Sequence, residues 1–96
     1  MNKEITEKLI AFRNARNWQE HHTPEELARS LMIEAAELNR LFQWPLMNRQ
    51  YTPEQIADEL SDIDIYLTYL YEYFGINRDY AVGRKITKNA IKYPVG

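Results

Sequence analysis

The hydrophobic positions of this chain repeat at helical spacing over most of its length. Ile5, Leu9 and Phe12 fall four and three residues apart, which predicts an amphipathic helix that ends near Trp18. The polar stretch 19–22 lacks this period and is predicted to be a connection. No stretch alternates polar and apolar residues between turn signals, so the sequence predicts an all-α fold.

Two long helices follow, and both begin with the same kind of capping sequence. Thr23 and Thr52 are each followed by proline and glutamate, with Glu or Gln at the third position, which predicts an N-cap, proline in the first turn and a capping box. The second helix should run to about Trp44, where a proline stops it, and the third to about Phe74. The short loop 45–51 makes these two helices antiparallel neighbours.

A fourth helix is predicted from about Arg78 to Lys92. Gly75 suits the C-terminal cap of the third helix, Asn77 suits the N-cap of the fourth, and Pro94 follows its end. The sequence therefore predicts a four-helix bundle in which the second and third helices are the long members.

Two pairs of acidic residues stand on the long helices. Glu34 and Glu37 lie three residues apart on the second helix, and Glu59 and Asp62 lie three apart on the third. Residues at this spacing project from one side of a helix. Glu34 also takes a position on an apolar seam, whose other members are Leu27, Leu31, Leu38 and Leu41. A charged group on such a seam is costly unless it is paired or bound to a metal ion.

The two acidic pairs are predicted to lie at one level of the helix hairpin. Glu37 precedes Trp44 by seven residues and Glu59 follows Pro53 by six, so the four carboxylates should surround one point. They would repel one another unless a cation lay between them. Oxygen ligands without His or Cys favour Mg²⁺, or Mn²⁺, over zinc or copper. A single Glu-x-x-Glu pair is usually a solvated helix face, and it is the coincidence of two pairs that favours a metal site.

Composition and charge narrow the functional classes. The net charge of −2 offers no general basic surface, which argues against a nucleic-acid polymer as partner. The chain has no cysteine, which excludes a thiol nucleophile, a disulfide framework and a zinc–thiolate site. No apolar run approaches ~18 residues and the N-terminus lacks a signal core, so a cytoplasmic protein without a membrane segment is expected. Residues 1–96 should form a single domain.

The motifs also resemble a known family. Glu34-x-x-Glu37 followed by Glu59-x-x-Asp62 is similar to the MazG-like branch of the all-α nucleoside triphosphate pyrophosphohydrolases. Further positions resemble its dCTP pyrophosphatase subgroup: Phe12, Arg13, Arg16, Asn17, Trp18, His22, Pro24, 41–44, 65–67, Lys85, Asn89 and 93–95. The resemblance implies Mg²⁺-dependent hydrolysis of a (deoxy)nucleoside triphosphate to the monophosphate and pyrophosphate, as in the removal of unwanted nucleotides. It also implies a homodimer or a homotetramer.

Carried over by position, the resemblance implies roles for individual residues. The metal ligands and catalytic residues would be Glu34, Glu37, Glu59 and Asp62, one of the glutamates also orienting the attacking water. The residues at positions that surround the base are Trp18, His22, Trp44 and Tyr66. Lys85 and Asn89 match positions near the phosphates or the sugar. By their types alone, these residues fit simpler roles too: core cover for the tryptophans, a solvated loop for His22, a helix–helix hydrogen bond for Asn89 and a helix-dipole contact for Lys85.

Other classes stay open at this point. A non-catalytic helical interaction or regulatory module could use the acids to bind a cation, a nucleotide or a basic partner. A carboxylate-bridged redox bundle would need Glu-x-x-His motifs, which the chain lacks. Tyrosines crowd the end of the third helix, and apolar residues occupy more than one side of the long helices, so self-association is expected. The sequence is compatible with a dimer or a tetramer, with any base, and with a pocket shared between subunits.

Overall fold

The computed structural model describes residues 1–43 and 51–96 of the chain. It contains α1 (Lys3–Ala15), a short 3-10 helix (Trp18–His21), α2 (Pro24–Phe42), α3 (Pro53–Tyr73) and α4 (Arg78–Lys92). No strand occurs in these two ranges, which confirms the predicted all-α fold. Among the same residues, no helix combines the length and the apolar character needed to cross a membrane.

The first helix is shorter than its periodicity predicts. It ends at Ala15, and Asn17 adopts a left-handed backbone with φ of 56°. Asparagine tolerates this conformation better than most residues, so Asn17 can end the helix. Trp18 then begins a 3-10 helix in the stretch that was predicted to be a plain connection. The predicted end of the second helix at Trp44 lies outside the described residues.

The caps of the other helices follow the sequence closely. Thr52 accepts a hydrogen bond from the Gln55 N–H over 3.1 Å, and the Gln55 side chain accepts one from the Thr52 N–H over 2.8 Å, which completes the capping box. Asn77 caps α4 as predicted, accepting from the Tyr80 N–H over 2.8 Å. At Thr23 only the side-chain bond to the Glu26 N–H forms. The Glu26 carboxylate instead accepts a hydrogen bond from Arg29. The capping box predicted at Thr23 is therefore only half complete.

Helices α2 and α3 form the centre of the structure as an antiparallel pair. The His22 ring, just before α2, lies 5.0 Å from Tyr69 near the end of α3. The Phe42 ring at the end of α2 lies 4.9 Å from Tyr51, just before α3. Leu27 and Tyr69 are the most deeply buried apolar residues of the described chain. This packing sets the start of α2 against the end of α3, and so brings their middles to one level.

The two remaining helices attach to α3 in different ways. Arg13 of α1 is 7% exposed and forms an ion pair with Glu72 at 2.9 Å. Arg78, the first residue of α4, forms an ion pair with Asp64 at 2.7 Å. Beyond that contact α4 has no buried residue. A buried ion pair therefore holds α1 against α3. Most of the surface of α4 is not covered by the other helices.

Candidate metal centre and its surroundings

Three of the four predicted acids come together where α2 and α3 meet. Glu34, Glu59 and Asp62 each offer one carboxylate oxygen, and these oxygens lie within 4.8 Å of one another. Glu34 and Glu59 are half-buried between the helices, and Asp62 is exposed at the rim. Opposite ligands of Mg²⁺ lie ~4.2 Å apart in octahedral coordination, so a small rotation of the side chains would close the cluster around an ion.

The electrostatics of this cluster are unfavourable for the protein alone. Burial raises the pKa of Glu34, and the nearby charges of Asp62, Glu59 and Glu37 raise it further. Oε2 of Glu59 is buried and accepts no hydrogen bond from any residue in the described ranges. A buried carboxylate oxygen without a donor is costly, and a cation would remove both this cost and the repulsion. The donor set therefore fits a hard divalent cation.

Glu37 is the predicted ligand that lies outside the group. Its Oε1 accepts a hydrogen bond from Nη1 of Arg40 over 3.3 Å, and its side chain is about half-exposed. Its charge still raises the pKa of Glu34, so it stays close to the cluster. The competing partner was visible in the sequence, because Arg40 stands three residues after Glu37 on the same helix side.

One predicted base contact, Tyr66, lies along the same face of α3 as the acids, and Tyr69 follows it there. Tyr66 and Tyr69 follow Asp62 by four and seven residues, which keeps all three on one side of the helix. The Tyr69 ring lies 6.1 Å from Tyr66 and 5.0 Å from His22. Tyr69, which was not among the predicted site residues, thus links His22 to Tyr66. Its place three residues after Tyr66 was the available signal.

The environment of His22 favours the neutral ring. Burial lowers its pKa below the ordinary 6.5, and the charges of Arg13 and His21 act in the same direction. Nδ1 of His22 is buried and has no hydrogen-bond partner among residues 1–43 and 51–96. A neutral imidazole has one N–H donor and one acceptor nitrogen. Nδ1 is closed off by packing, so Nε2 is the ring nitrogen that can contact a ligand, as donor or as acceptor according to the tautomer.

Arg13 is the second residue that the sequence-based site did not include. Its Nε and Nη2 donate to Oδ1 of Asn14 over 3.0 and 2.9 Å, and its guanidinium lies 5.6 Å from the centre of the Tyr69 ring. Arg13 follows Leu9 by four residues, so it falls on the inner side of α1. That spacing was the signal that this arginine would be buried.

Trp18, the first of the two predicted tryptophans, does not contribute to the cluster. Trp18 is exposed and packs edge-on against Phe12, with 5.6 Å between ring centres. The Arg16 guanidinium lies 3.5 Å from the centre of the Phe12 ring, so the three residues form a separate surface group. Trp44 lies outside the described residues.

Lys85 and Asn89 lie on the other side of α3 from the acids. Both line a cavity of about 280 Å³ between α4 and Tyr71. Tyr71 follows Asp62 by nine residues, and ~100° of rotation per residue places the two on opposite sides of α3. Within one chain, the structure therefore separates these two predicted substrate contacts from the carboxylates.

Comparison with known proteins identifies the family of this chain. No protein-family profile matches the sequence. The solved structure of a pyrophosphatase from Archaeoglobus fulgidus DSM 4304 is 36% identical and has a TM-score of 0.84, with 97% of this chain and 92% of that chain covered. The chain belongs to the MazG-like all-α pyrophosphatase family. This confirms the family that the acidic motifs resembled.

Curated relatives of this MazG-like chain carry a more specific name. It is 34% identical over 100 residues to dCTP pyrophosphatase 1 of Mus musculus and 33% identical over 99 residues to dCTP pyrophosphatase 1 of Homo sapiens. The matches cover 97% and 96% of this chain. The chain spans 59% and 58% of the lengths of these two relatives.

Proposed function

We propose that this protein is a Mg²⁺-dependent nucleoside triphosphate pyrophosphohydrolase. It would convert a (deoxy)nucleoside triphosphate and water to the monophosphate and pyrophosphate. The observation that carries the proposal is the group formed by Glu34, Glu59 and Asp62, with its unpartnered buried oxygen, in a member of a pyrophosphatase family. The same donor set also accepts Mn²⁺.

The metal would be held by Glu34, Glu59 and Asp62. When bound, it supplies positive charge that polarises the phosphoryl oxygens and neutralises the charge that develops on the leaving pyrophosphate. Glu37 is the half-exposed carboxylate beside this group, and its hydrogen bond to Arg40 is the kind of contact that a side-chain rotation can exchange. It is therefore suited to accept the proton of the water that attacks phosphorus, while the P–O–P bridge to the leaving pyrophosphate breaks.

The nucleoside would lie along α3 towards its C-terminal end. Tyr66 stands ~6 Å along the helix axis from Asp62, which suits a ligand whose phosphates are held at the carboxylates. The half-buried Tyr66 ring offers a flat face for stacking, at ~1–3 kcal/mol per base, and the buried Tyr69 ring packs beside it. The neutral ring of His22 can offer one hydrogen bond beside it through Nε2, as donor or as acceptor. A pyrimidine such as the cytosine of dCTP presents both, and relatives named dCTP pyrophosphatase 1 support a dCTP-like or non-standard nucleotide as substrate.

The cellular setting that follows from this proposal is nucleotide clearance in the cytoplasm. The enzyme would be a hydrolase of phosphorus anhydrides that acts on free nucleotides, and it would work as a homo-oligomer.

The test is pyrophosphate release from a panel of nucleoside triphosphates in the presence of Mg²⁺. Glu59→Gln keeps the shape of the side chain but removes its charge, and should lower kcat/KM by about 100-fold or more. Glu54→Gln is the matched control, because Glu54 lies exposed in the first turn of the same helix, and it should retain activity. Equal activity of Glu59→Gln and wild type would overturn the metal-site assignment. Absence of turnover with every nucleotide would favour the non-catalytic module.

A further inference from the structure

Tyr69 is a buried ring that contacts two residues of the proposed nucleoside site. It is 3% exposed, so it does not itself face a ligand. Its ring centre lies 5.0 Å from that of His22, with 41° between the planes, and 6.1 Å from that of Tyr66, edge to face at 78°. Both distances lie in the range of favourable aromatic contacts. The two residues proposed to contact a base therefore share one buried neighbour.

The His22 ring lacks the polar contact that usually sets the direction of a histidine. In functional sites, a hydrogen bond at one ring nitrogen commonly fixes the tautomer and the ring orientation, and so aims the other nitrogen. Nδ1 of His22 is buried and makes no such bond to any residue of the two described ranges. The direction of Nε2 must therefore come from packing, and the ring that packs against His22 is that of Tyr69.

A third neighbour restrains Tyr69. The Arg13 guanidinium lies 5.6 Å from the centre of the Tyr69 ring, within the range of a cation–π contact. Arg13 is itself fixed, because it donates two hydrogen bonds to Asn14 and one to Glu72 and is 7% exposed. The Tyr69 ring thus lies against a fixed cation as well as two aromatic rings, and it has little freedom to tilt.

We propose that Tyr69 is a positioning residue of the nucleoside site. It holds Nε2 of His22 and the flat face of Tyr66 at a set distance and angle from each other, and it does so without touching the substrate. A base that stacks on Tyr66 then meets an Nε2 that is already oriented, so binding does not have to order either side chain. The inference rests on the proposed function for the identity of the ligand, whereas the arrangement of the three rings does not depend on it.

The first test measures pyrophosphate release by Tyr69→Met with the nucleoside triphosphate that the wild type prefers. Methionine keeps much of the buried volume but has no ring that could orient its neighbours. Base contacts are made before the reaction as well as during it, so KM should rise about 10-fold while kcat changes by less than about 2-fold. The preference for this nucleotide over the others should shrink by a similar factor. Tyr69→Phe returns the ring and should restore KM.

Leu67→Ala is the matched control for lost packing. Leu67 follows Asp62 by five residues, which turns it ~140° away from the acids around α3. There it lines a cavity with Phe74 and Ile76, so its truncation removes apolar contacts remote from the proposed base contacts, and KM should stay at the wild-type value. An unchanged KM in Tyr69→Met, an equal rise in Leu67→Ala, or no recovery in Tyr69→Phe would overturn the proposal.

A second measurement leaves Tyr69 unchanged and needs no turnover. Calorimetric titration with Mg²⁺ and α,β-imido-dCTP, whose bridge between the α and β phosphorus atoms resists hydrolysis, gives Kd for His22→Ala, Tyr66→Leu and the double variant. Contacts that share a positioning neighbour are coupled. If each single change weakens binding about 10-fold, the double change should therefore weaken it clearly less than about 100-fold.

The outcomes of this titration separate the two proposals. A double variant whose loss equals the product of the single losses would overturn the role of Tyr69. If the wild type bound the analogue with the expected coupling but released no pyrophosphate from any nucleotide, only the proposed function would fail. No binding of the analogue by the wild type would overturn both.

Discussion

Nη1 of Arg13 donates a hydrogen bond to Oε2 of Glu72 over 2.9 Å, and this contact joins α1 to the end of α3. The two partners differ in exposure, because the arginine side chain is 9% exposed and the glutamate side chain 45%. Their loss should therefore have different effects on stability.

Glu72→Ala should destabilise the fold more than Arg13→Met. Removal of Glu72 leaves a buried guanidinium without its carboxylate, at a cost of about 3 kcal/mol. Removal of the charge at Arg13 leaves a glutamate that water can solvate, and methionine keeps much of the packing, so we expect about 1–2 kcal/mol. Urea unfolding at pH 7 measures both values. The reverse order would show that Arg13 acts through its stacking on Tyr69 and not through its ion pair.

His22 should titrate below its ordinary pKa of 6.5, mainly because of burial and secondarily because of Arg13 and His21. Below pH 6.5 the unfolded chain then binds a proton that the folded chain resists, so stability should fall as the pH drops through that range. Two-dimensional NMR of the imidazole measures the pKa directly. Arg13→Met should raise it, because a positive charge facing the ring is removed, while the neighbouring Tyr69 ring stays in place. An unchanged value would assign the shift to burial and His21 without Arg13.

The raised pKa of Glu34 predicts the opposite change of stability with pH for the metal-free protein. Its folded pKa lies above the ordinary 4.5, so the folded state binds more protons than the unfolded state between these two values. Stability in EDTA should therefore decrease as the pH rises through this window and then stay at the lower level. Glu34→Gln should lose this dependence and be more stable than wild type at pH 7. The free energy of unfolding between pH 4.5 and 8 checks both points, and a Glu34→Gln variant less stable than wild type would contradict them.

Divalent cations should stabilise the wild-type fold. A ligand that binds only the folded state at 100 times its Kd adds about 2.7 kcal/mol, which raises Tm by roughly 10–20 °C in a domain of this size. Thermal unfolding with Mg²⁺ or Mn²⁺ should show this rise, and EDTA should reverse it. Glu59→Gln should abolish the response, whereas Glu54→Gln should keep it. A rise of the same size in both variants would place the ion elsewhere.

The secondary structure was largely predictable because its signals are local. Thr52, Asn77 and Gly75 cap their helices as their positions predict, and Gly75 has the left-handed φ of 63° that favours glycine. The capping box predicted at Thr23 forms only in part, because the Glu26 carboxylate accepts a hydrogen bond from Arg29, three residues later. Local rules predict which bonds are available, but not which of two available bonds forms.

The candidate site was predictable where helix geometry alone decides it. The spacing of Glu34, Glu59 and Asp62 was enough to bring them together once α2 and α3 were taken as antiparallel. Contacts that depend on the angle between helices were not predictable. The placement of Lys85 depends on the side of α3 that α4 follows, and no pattern along the chain encodes that choice.

The opposite orientations of Asp62 and Tyr71 make the length of α3 a constraint on the whole molecule. One residue inserted between them would turn everything beyond the insertion by ~100°, whereas seven inserted residues would restore the original direction to within ~20°. The number of residues in the middle of α3 thus fixes the angle between the groups at its two ends. Substitutions there should be tolerated far better than insertions or deletions.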